Sequence, residues 1–480
     1  MELKRKIAKN TLVQIIGKVL STILGIMSLA IMARYLGTSG FGKYSTIITF
    51  VSFFAMSADL GLTLISAQII SRPDENQNKA LSNLFTLRLI SALIIIGLAP
   101  LSILFFPYAP EIRMGVLIST LIFLFPALNQ IPTALFQKNL KMEKVMASEV
   151  LSKTLLVFLI FLAAKLDKGL NGMLWASVFG SLFGFMLLWF YSKKTSKITL
   201  EFDFTFWKKI ITKSWPLAIT IILNLLYLKG DILILSLFKS EQEVGIYGAS
   251  YRAIEVIGTI PYMFAGIMLP IFTKNWFSQK TDFLKKLMQK SFDFMIILAL
   301  PLAIGTQFIA TKVMTVIAGQ DFNASGRPLQ ILILSTSILF ISSVFSHIII
   351  AIEKQKKVIG LYIFTAVSSL ILYLFLIPKY SYLGGAIVTI YSNLVILIGT
   401  IWVVKKYTNF LPKTQVLFKT LLASLGMAIL MFLIPQGYYQ NNFLLLASVS
   451  LAAIFYFSLL YILGGINKED LKTFIPQTKN

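Results

Sequence analysis

The chain has 480 residues, 57% of them hydrophobic and only 13% charged, with a mean hydropathy of +0.80; a soluble protein of this length needs more charged surface, so the class is an all-α polytopic membrane protein. The absence of cysteine excludes disulfides and thiol metal sites, and a single histidine, His347, excludes zinc centres built on several histidines and disfavours a Ser-His-Asp hydrolase. A net charge of +24 would suggest nucleic acid in a soluble protein, but in a membrane protein basic residues gather in cytoplasmic loops, and no nucleic-acid partner is expected.

The basic N-terminus, MELKRKIAKN, leads into an apolar run from Thr11 to Leu36. That run is too long for a signal peptide and lacks a small-residue cleavage site, so it reads as a retained first span. Counting apolar stretches of about 20 residues, the length that crosses the hydrocarbon, gives fourteen spans, at 11–36, 44–70, 84–106, 114–136, 147–164, 170–192, 214–238, 245–273, 291–310, 329–352, 358–377, 383–404, 415–434 and 443–464. Most of the 44 Lys and Arg fall in the segments on the N-terminal side, which places both termini in the cytoplasm of a cell-membrane protein. The longest segment on that side, 193–213, reads as a connector between halves; the longest on the other is 311–328. Neither leaves room for a soluble catalytic domain.

A weak internal repeat links the halves. Phe41-Gly42-Lys43-Tyr44 matches Val244-Gly245-Ile246-Tyr247 at an offset of 203, and Lys144-Val145 with Gly172 match Lys357-Val358 with Gly385 at 213. Six helices per copy is an even number, so both copies share one orientation, as in parallel-repeat transporters with a central cavity. The expected organisation is a six-helix lobe at 1–192, a cytoplasmic connector at 193–213, a second lobe at 214–404, and two further helices with a short tail at 405–480.

Polar residues recur at helical spacing inside several spans. Gln14, Lys18, Ser21, Gly25 and Ser28 share one face, as do Ser45, Thr49, Ser52, Asp59 and Thr63. Asn224, Tyr227 and Asp231 form a stripe in the seventh span, and Gly248, Arg252, Glu255 and Thr259 form one in the eighth. Small and hydroxyl residues of this kind also glue membrane helices together. The charged members carry the stronger signal, because ionisable groups at membrane depth face wet, partnered interiors. Lys18, Arg88, Lys153 and Arg252 are candidate cations for an anionic head group, with snorkelling the rival for the first three and an Arg252–Glu255 pair the rival for the fourth. Asp59, Glu149, Asp231 and Glu255 are candidates for ion coupling or charge pairing; Gln14, Ser21, Asn224 and Tyr227 would line the cavity. Lys229, two residues from Asp231, points to nearly the opposite side of its helix. His347 reads either as a hydrogen-bonded packing residue or as a proton relay.

Gly37-Thr38-Ser39-Gly40-Phe41-Gly42-Lys43-Tyr44 approaches a phosphate-binding loop, but it ends in Tyr and follows a membrane helix rather than a strand. It is a turn. With no nucleotide site and no cofactor expected, movement of a substrate would draw on a proton or sodium gradient, a membrane potential or a partner.

Met32-Ala33-Arg34-Tyr35-Leu36-Gly37 with Phe41-Gly42-Lys43-Tyr44, Asp59-Leu60-Gly61-Leu62, and Asp231 followed by Val244-Gly245-Ile246-Tyr247 and Arg252 together resemble polysaccharide repeat-unit flippases. These are the O-antigen and exopolysaccharide translocases of the superfamily that also holds multidrug extruders and lipid II flippases. Leu135-Phe136-Gln137-Lys138, Gly319-Gln320-Asp321-Phe322, and Ile377-Pro378 with Gly384-Gly385-Ala386 extend the likeness over about the first 400 residues. The resemblance implies two six-helix lobes around a cationic cavity and a polyprenyl-diphosphate-linked oligosaccharide as substrate, with membrane lipids, a glycan polymerase and glycosyltransferases as partners. It carries over to Asp59, Asp231 and Arg252; the other candidates rest on their own spacing. The expectation is therefore a flippase working by alternating access and not an enzyme. A multidrug exporter of the same fold is the alternative, and a membrane glycan polymerase or ligase a more distant one.

Overall fold

A computed structural model of the chain describes residues 2–63, 66, 70 and 77–466. The expected tail beyond the last span and the segment 71–76 lie outside the described residues. Among the described residues, twelve helices are long and apolar enough to cross a membrane. They are α1 (Glu2–Ser57), α2 (Gln77–Ser102), α3 (Pro110–Lys138), α4 (Met142–Lys165), α5 (Gly169–Lys193), α6 (Phe204–Phe238), α7 (Glu241–Phe277), α8 (Thr281–Ala318), α9 (Gly326–Ala351), α10 (Ile359–Thr408), α11 (Gln415–Leu433) and α12 (Asn442–Ile462). Two of them are double. α1 breaks at Gly37 (φ 64°, ψ −176°) and α10 at Ser381 (φ 52°, ψ −139°), so each supplies two crossings and the described residues hold fourteen. Glycine suits the first break because it enters the left-handed region without a Cβ penalty.

Several boundaries differ from those expected. The second span is not one helix: it stops after Ser57, and Leu60 (φ 48°) and Gly61 (φ 72°) are left-handed before helix resumes at Leu62. α6 begins ten residues ahead of its apolar run because Asp203 caps it, accepting a hydrogen bond from the Phe206 amide at 3.0 Å. The 311–328 segment is largely helical, with α8 continuing to Ala318 and a 3-10 turn at Gln320–Ser325.

The internal repeat is present in the turns. Leu140 (φ 52°), after α3, and Glu353 (φ 57°), after α9, stand 213 residues apart and are both left-handed. Around Leu140, the Lys141 amide reaches the Phe136 carbonyl at 2.9 Å and the Leu140 amide reaches Gln137 at 3.2 Å. Around Glu353, Lys354 reaches Ile349 and Glu353 reaches Ile350, both at 3.0 Å. This paired bond pattern satisfies carbonyls that a helix end leaves open.

By packing, the chain divides into two compact units, Met1–Gly248 and Ala249–Asn480. In the first, Ile47, Phe50, Val51, Ile96, Val116 and Leu174 form one core, and Leu81, Leu84, Leu135, Trp207 and Ile210 another. Apolar side chains gain little by leaving lipid for one another, so close approach depends on small residues and interhelical hydrogen bonds. Ser148 and Ser152 of α4 donate to the carbonyls of Gly184 and Gly180 of α5, each at 2.7 Å. In the second unit Ser335 of α9 donates to the Thr389 carbonyl at 3.0 Å and accepts from Asn393 at 2.7 Å. There α11 and α12 pack on each other through Ala423, Met427, Ala452 and Tyr456, and the Tyr456 hydroxyl reaches the Ile297 carbonyl of α8 at 2.7 Å.

The residues joining α5 to α6 are an ordered strap laid along α2. The amides of Thr199, Glu201 and Asp203 donate to Ser82, Thr86 and Asn83 at 3.0, 3.0 and 2.9 Å. Alternate residues engage one neighbour because the strap is extended. Lys79 pairs with Asp203 at 3.1 Å.

Candidate functional site

In the first unit, the first arm of α1 meets α4 at three polar side chains. The Lys18 Nζ lies 3.2 Å from Glu149 Oε1, and the Ser21 hydroxyl donates to the same oxygen at 2.9 Å. Lys153 follows Glu149 by one turn. All sit inside stretches apolar enough to cross a membrane, yet the Lys18 and Glu149 side chains remain 41% and 31% exposed. Charges at such depth carry a large penalty against bare hydrocarbon, which pairing with an opposite charge reduces. Gln14, on the same arm, is half-buried.

The second element is the broken second span. A helix that stops leaves its last carbonyls open. Ser91 of α2 donates to the Ala58 carbonyl at 3.2 Å, and Arg88 Nη1 donates to the Asp59 carbonyl at 3.0 Å. The same nitrogen pairs with the Asp59 carboxylate at 2.6 Å, Nε reaches the Ala127 carbonyl at 3.1 Å, and Nη2 reaches Thr63 at 3.4 Å. Thr63 also donates to Asp59. With the Arg88 side chain 5% exposed and that of Asp59 17%, the guanidinium braces the break.

Asp231 of α6 is fully buried and accepts a 2.5 Å hydrogen bond from the Tyr247 hydroxyl of α7 and a 2.8 Å bond from the Ile232 amide. Tyr227 is buried on the same helix, and Asn224 is half-buried with its side-chain oxygen enclosed. Nearby, the two repeat glycines meet. A Cβ on Gly42 would collide with the Glu241 carbonyl, and one on Gly245 with the Thr38 carbonyl. The offset of 203 carries Gly42 to Gly245 and Thr38 to Glu241, so it exchanges the two contacts and the crossing is symmetric within the repeat. One turn on, a Cβ on Gly248 would lie 2.8 Å from that of Ser45. Ion pairs flank the crossing: Lys43 reaches Glu111 at 2.5 Å and Glu241 at 3.7 Å, and Ser39 donates to Glu241 at 2.9 Å.

In the second unit Arg252 Nη1 pairs with Glu255 at 2.7 Å, one turn apart on α7, both partly exposed. Ser250 donates to the Ser325 carbonyl at 2.7 Å. The His347 Nδ1 lies 2.8 Å from the Ser343 carbonyl of its own helix.

The structure thus brings Lys18, Ser21 and Glu149 together, pairs Arg88 with Asp59, and pairs Arg252 with Glu255. Residue spacing did not disclose Tyr247 as the partner of Asp231, nor the Lys43–Glu111–Glu241 pairs; Tyr247 and Lys43 did stand in the repeat motif, which was their only signal.

A family model described as polysaccharide biosynthesis protein matches residues 31–327. The chain belongs to this family. Among other polysaccharide biosynthesis proteins, it is 23% identical over 406 residues to the capsular polysaccharide biosynthesis protein CapF of Staphylococcus aureus, covering 83% of this chain and 99% of that one. It is likewise 23% identical over 401 residues to a protein of Shigella flexneri described as a putative O-antigen transporter, covering 79% and 93%. Among solved structures, the lipid II flippase MurJ in an inward closed conformation superposes with a TM-score of 0.72 at 17% identity, over 93% of this chain and 97% of that one. That likeness fixes the fold of this family member as the fourteen-crossing helical architecture described above.

Proposed function

We propose that this polysaccharide biosynthesis protein moves polyprenyl-diphosphate-linked oligosaccharide units from the inner to the outer leaflet of the cytoplasmic membrane by alternating access. The observation that carries the reading is the partly exposed Lys18–Ser21–Glu149 cluster inside apolar, membrane-length stretches, with Lys153 on the next turn. A diphosphate needs cations in a space that excludes lipid; the sugars need hydroxyl and amide neighbours; the polyprenyl tail needs none of these and stays in the bilayer. Lys18, Lys153 and Arg252 would hold the diphosphate in turn as the protein cycles. Gln14, Ser21, Asn224 and Tyr227 would hydrate sugars. Each of Glu149 and Glu255 already neutralises one of those cations, so an arriving diphosphate would compete with a carboxylate and release it to take up a proton or sodium ion. Asp231, enclosed with Tyr247, would gain or lose its proton only when that enclosure opens. The names carried by the Staphylococcus aureus and Shigella flexneri relatives support a glycan as cargo. Glycosyltransferases would supply the lipid-linked unit and a polymerase would consume it.

Replacing both Lys153 and Arg252 with Ala should abolish the surface polysaccharide while leaving the amount of protein in the membrane unchanged. Both are read from the same cells, by glycan staining and immunoblot. Normal polysaccharide in that double variant would contradict the role of the cations.

A further inference from the structure

The strap between α5 and α6 has two chemically distinct sides. Thr199, Glu201 and Asp203 are turned to α2, where Glu201 accepts from Asn83 at 3.1 Å and Asp203 pairs with Lys79. The residues between them, Leu200 and Phe202, and the first residue of α6, Phe204, point the other way and are 58%, 61% and 72% exposed. Aromatic rings reinforce this side: Phe202 and Phe204 lie 5.9 and 5.2 Å from Trp207. Lys193, Lys194 and Lys197 precede the row and Lys208 and Lys209 follow it, all exposed. Both acids of the segment are engaged with α2, so the outward side displays chiefly apolar groups and positive charge.

This side continues along α6 toward its apolar span at Ile221–Phe238. Ile211, Trp215 and Ile219, exposed along α6, fall seven, eleven and fifteen residues after Phe204, which keeps them on its face of the helix. An apolar stripe that begins at the foot of a membrane helix and is bordered by lysines has the composition of a segment seated at the headgroup–acyl boundary of an anionic bilayer. Aromatic side chains favour that depth. A water-soluble partner would not be served by a surface continuous with lipid-exposed helix.

We propose that residues 193–209 form a binding surface for anionic phospholipids, with Leu200, Phe202 and Phe204 inserted at the acyl boundary and the flanking lysines holding lipid phosphates. The surface lies on the membrane face where α5 ends and α6 begins, and it does not depend on what the protein carries. Because the strap is hydrogen-bonded to α2 and caps α6, lipid held there fixes the seating of both helices.

The chain contains no cysteine, so a single Phe202→Cys variant of the full-length protein can carry an environment-sensitive fluorophore. In vesicles of phosphatidylcholine with phosphatidylglycerol, the probe should be quenched several-fold more by lipid-attached doxyl groups than by aqueous iodide. In parallel, mass spectrometry of the purified protein should show several-fold less retained phosphatidylglycerol when Lys193, Lys194, Lys197, Lys208 and Lys209 are all changed to Gln, with the melting temperature in neutral detergent unchanged as a check on folding. Predominant iodide quenching would show the row facing water, as a protein-docking surface would, and would overturn the proposal. Equal phosphatidylglycerol retention by the Gln variant would overturn it as well.

Discussion

At the scale of single residues, the charges inside this protein divide into those that are enclosed and hold structure and those that stay partly exposed. Arg88 belongs to the first kind. Its donors serve a carboxylate, two carbonyls and a hydroxyl, and three of those four acceptors, all but the Ala127 carbonyl, belong to the break that Leu60 and Gly61 impose on the second span. Removing one member of a buried pair leaves the other charge uncompensated, a loss of about 3–5 kcal/mol. Arg88→Leu should therefore lower the melting temperature sharply in detergent, and adding Asp59→Leu should recover part of it because no orphan carboxylate remains. Equal melting of Arg88→Leu and the parent would remove the bracing role. Lys18 and Glu149 belong to the second kind, paired with each other yet 41% and 31% exposed within apolar stretches. Spacing alone had placed Lys18, Arg88 and Lys153 in one class. Only tertiary packing separates them, because a helical stripe says which face a residue occupies and not what the neighbouring helix offers it.

At the scale of elements, the crossing of α1 and α7 at Gly42 and Gly245 and the strap on α2 are the two devices most dependent on exact chain geometry. The glycine crossing was half legible. The repeat at an offset of 203 identified the positions, but not that the two copies press against each other. Ser45→Cys with Gly248→Cys should form a disulfide on mild oxidation, since the two Cβ positions approach within 2.8 Å, and small relaxation would reach the usual bridge spacing. If α1 and α7 must separate there during transport, the oxidised double variant should stop exporting polysaccharide and a reductant should restore export. Undiminished export in the fully oxidised protein would contradict that requirement. The strap was legible as a length of chain, and its alternation Thr199, Glu201, Asp203 against Leu200, Phe202, Phe204 was present in the letters, yet its docking on α2 was not. The Phe206 amide, followed by Lys79, holds the Asp203 carboxyl below its ordinary value of 3.8. A lowered carboxyl contributes stability above its unfolded range and loses it as pH falls. Exchange of the Thr199, Glu201 and Asp203 amides should accordingly accelerate on acidification below that range beyond the intrinsic trend, and Asp203→Asn should remove the extra pH dependence while keeping the cap.

At the scale of the whole molecule, the fourteen crossings were readable because hydrocarbon thickness demands apolar runs of a set length, and the chain obeys that demand even where two crossings share one continuous helix. The breaks at Gly37 and Ser381 fall in the gaps expected between spans, at 37–43 and 378–382, whereas the early start of α6 and the interruption at Asp59–Gly61 were not readable from apolar length, since each is decided by local φ and by partners far away in sequence. The two related sets of turns, at Leu140 and Glu353, bear the mark of a duplicated six-crossing unit in hydrogen bonds as well as in letters. Movement of a lipid-linked glycan is the activity this architecture and its partly exposed charges support best. The most direct test places the purified full-length protein in liposomes with a fluorescent polyprenyl-diphosphate oligosaccharide and follows, with a membrane-impermeant glycosidase, how fast the inner pool becomes accessible. The parent protein should make the protected half of the glycan accessible far faster than protein-free liposomes, and the Lys153→Ala, Arg252→Ala variant should not. A parent protein that leaves the protected half as inaccessible as in empty liposomes, with and without an imposed proton or sodium gradient, would contradict the account.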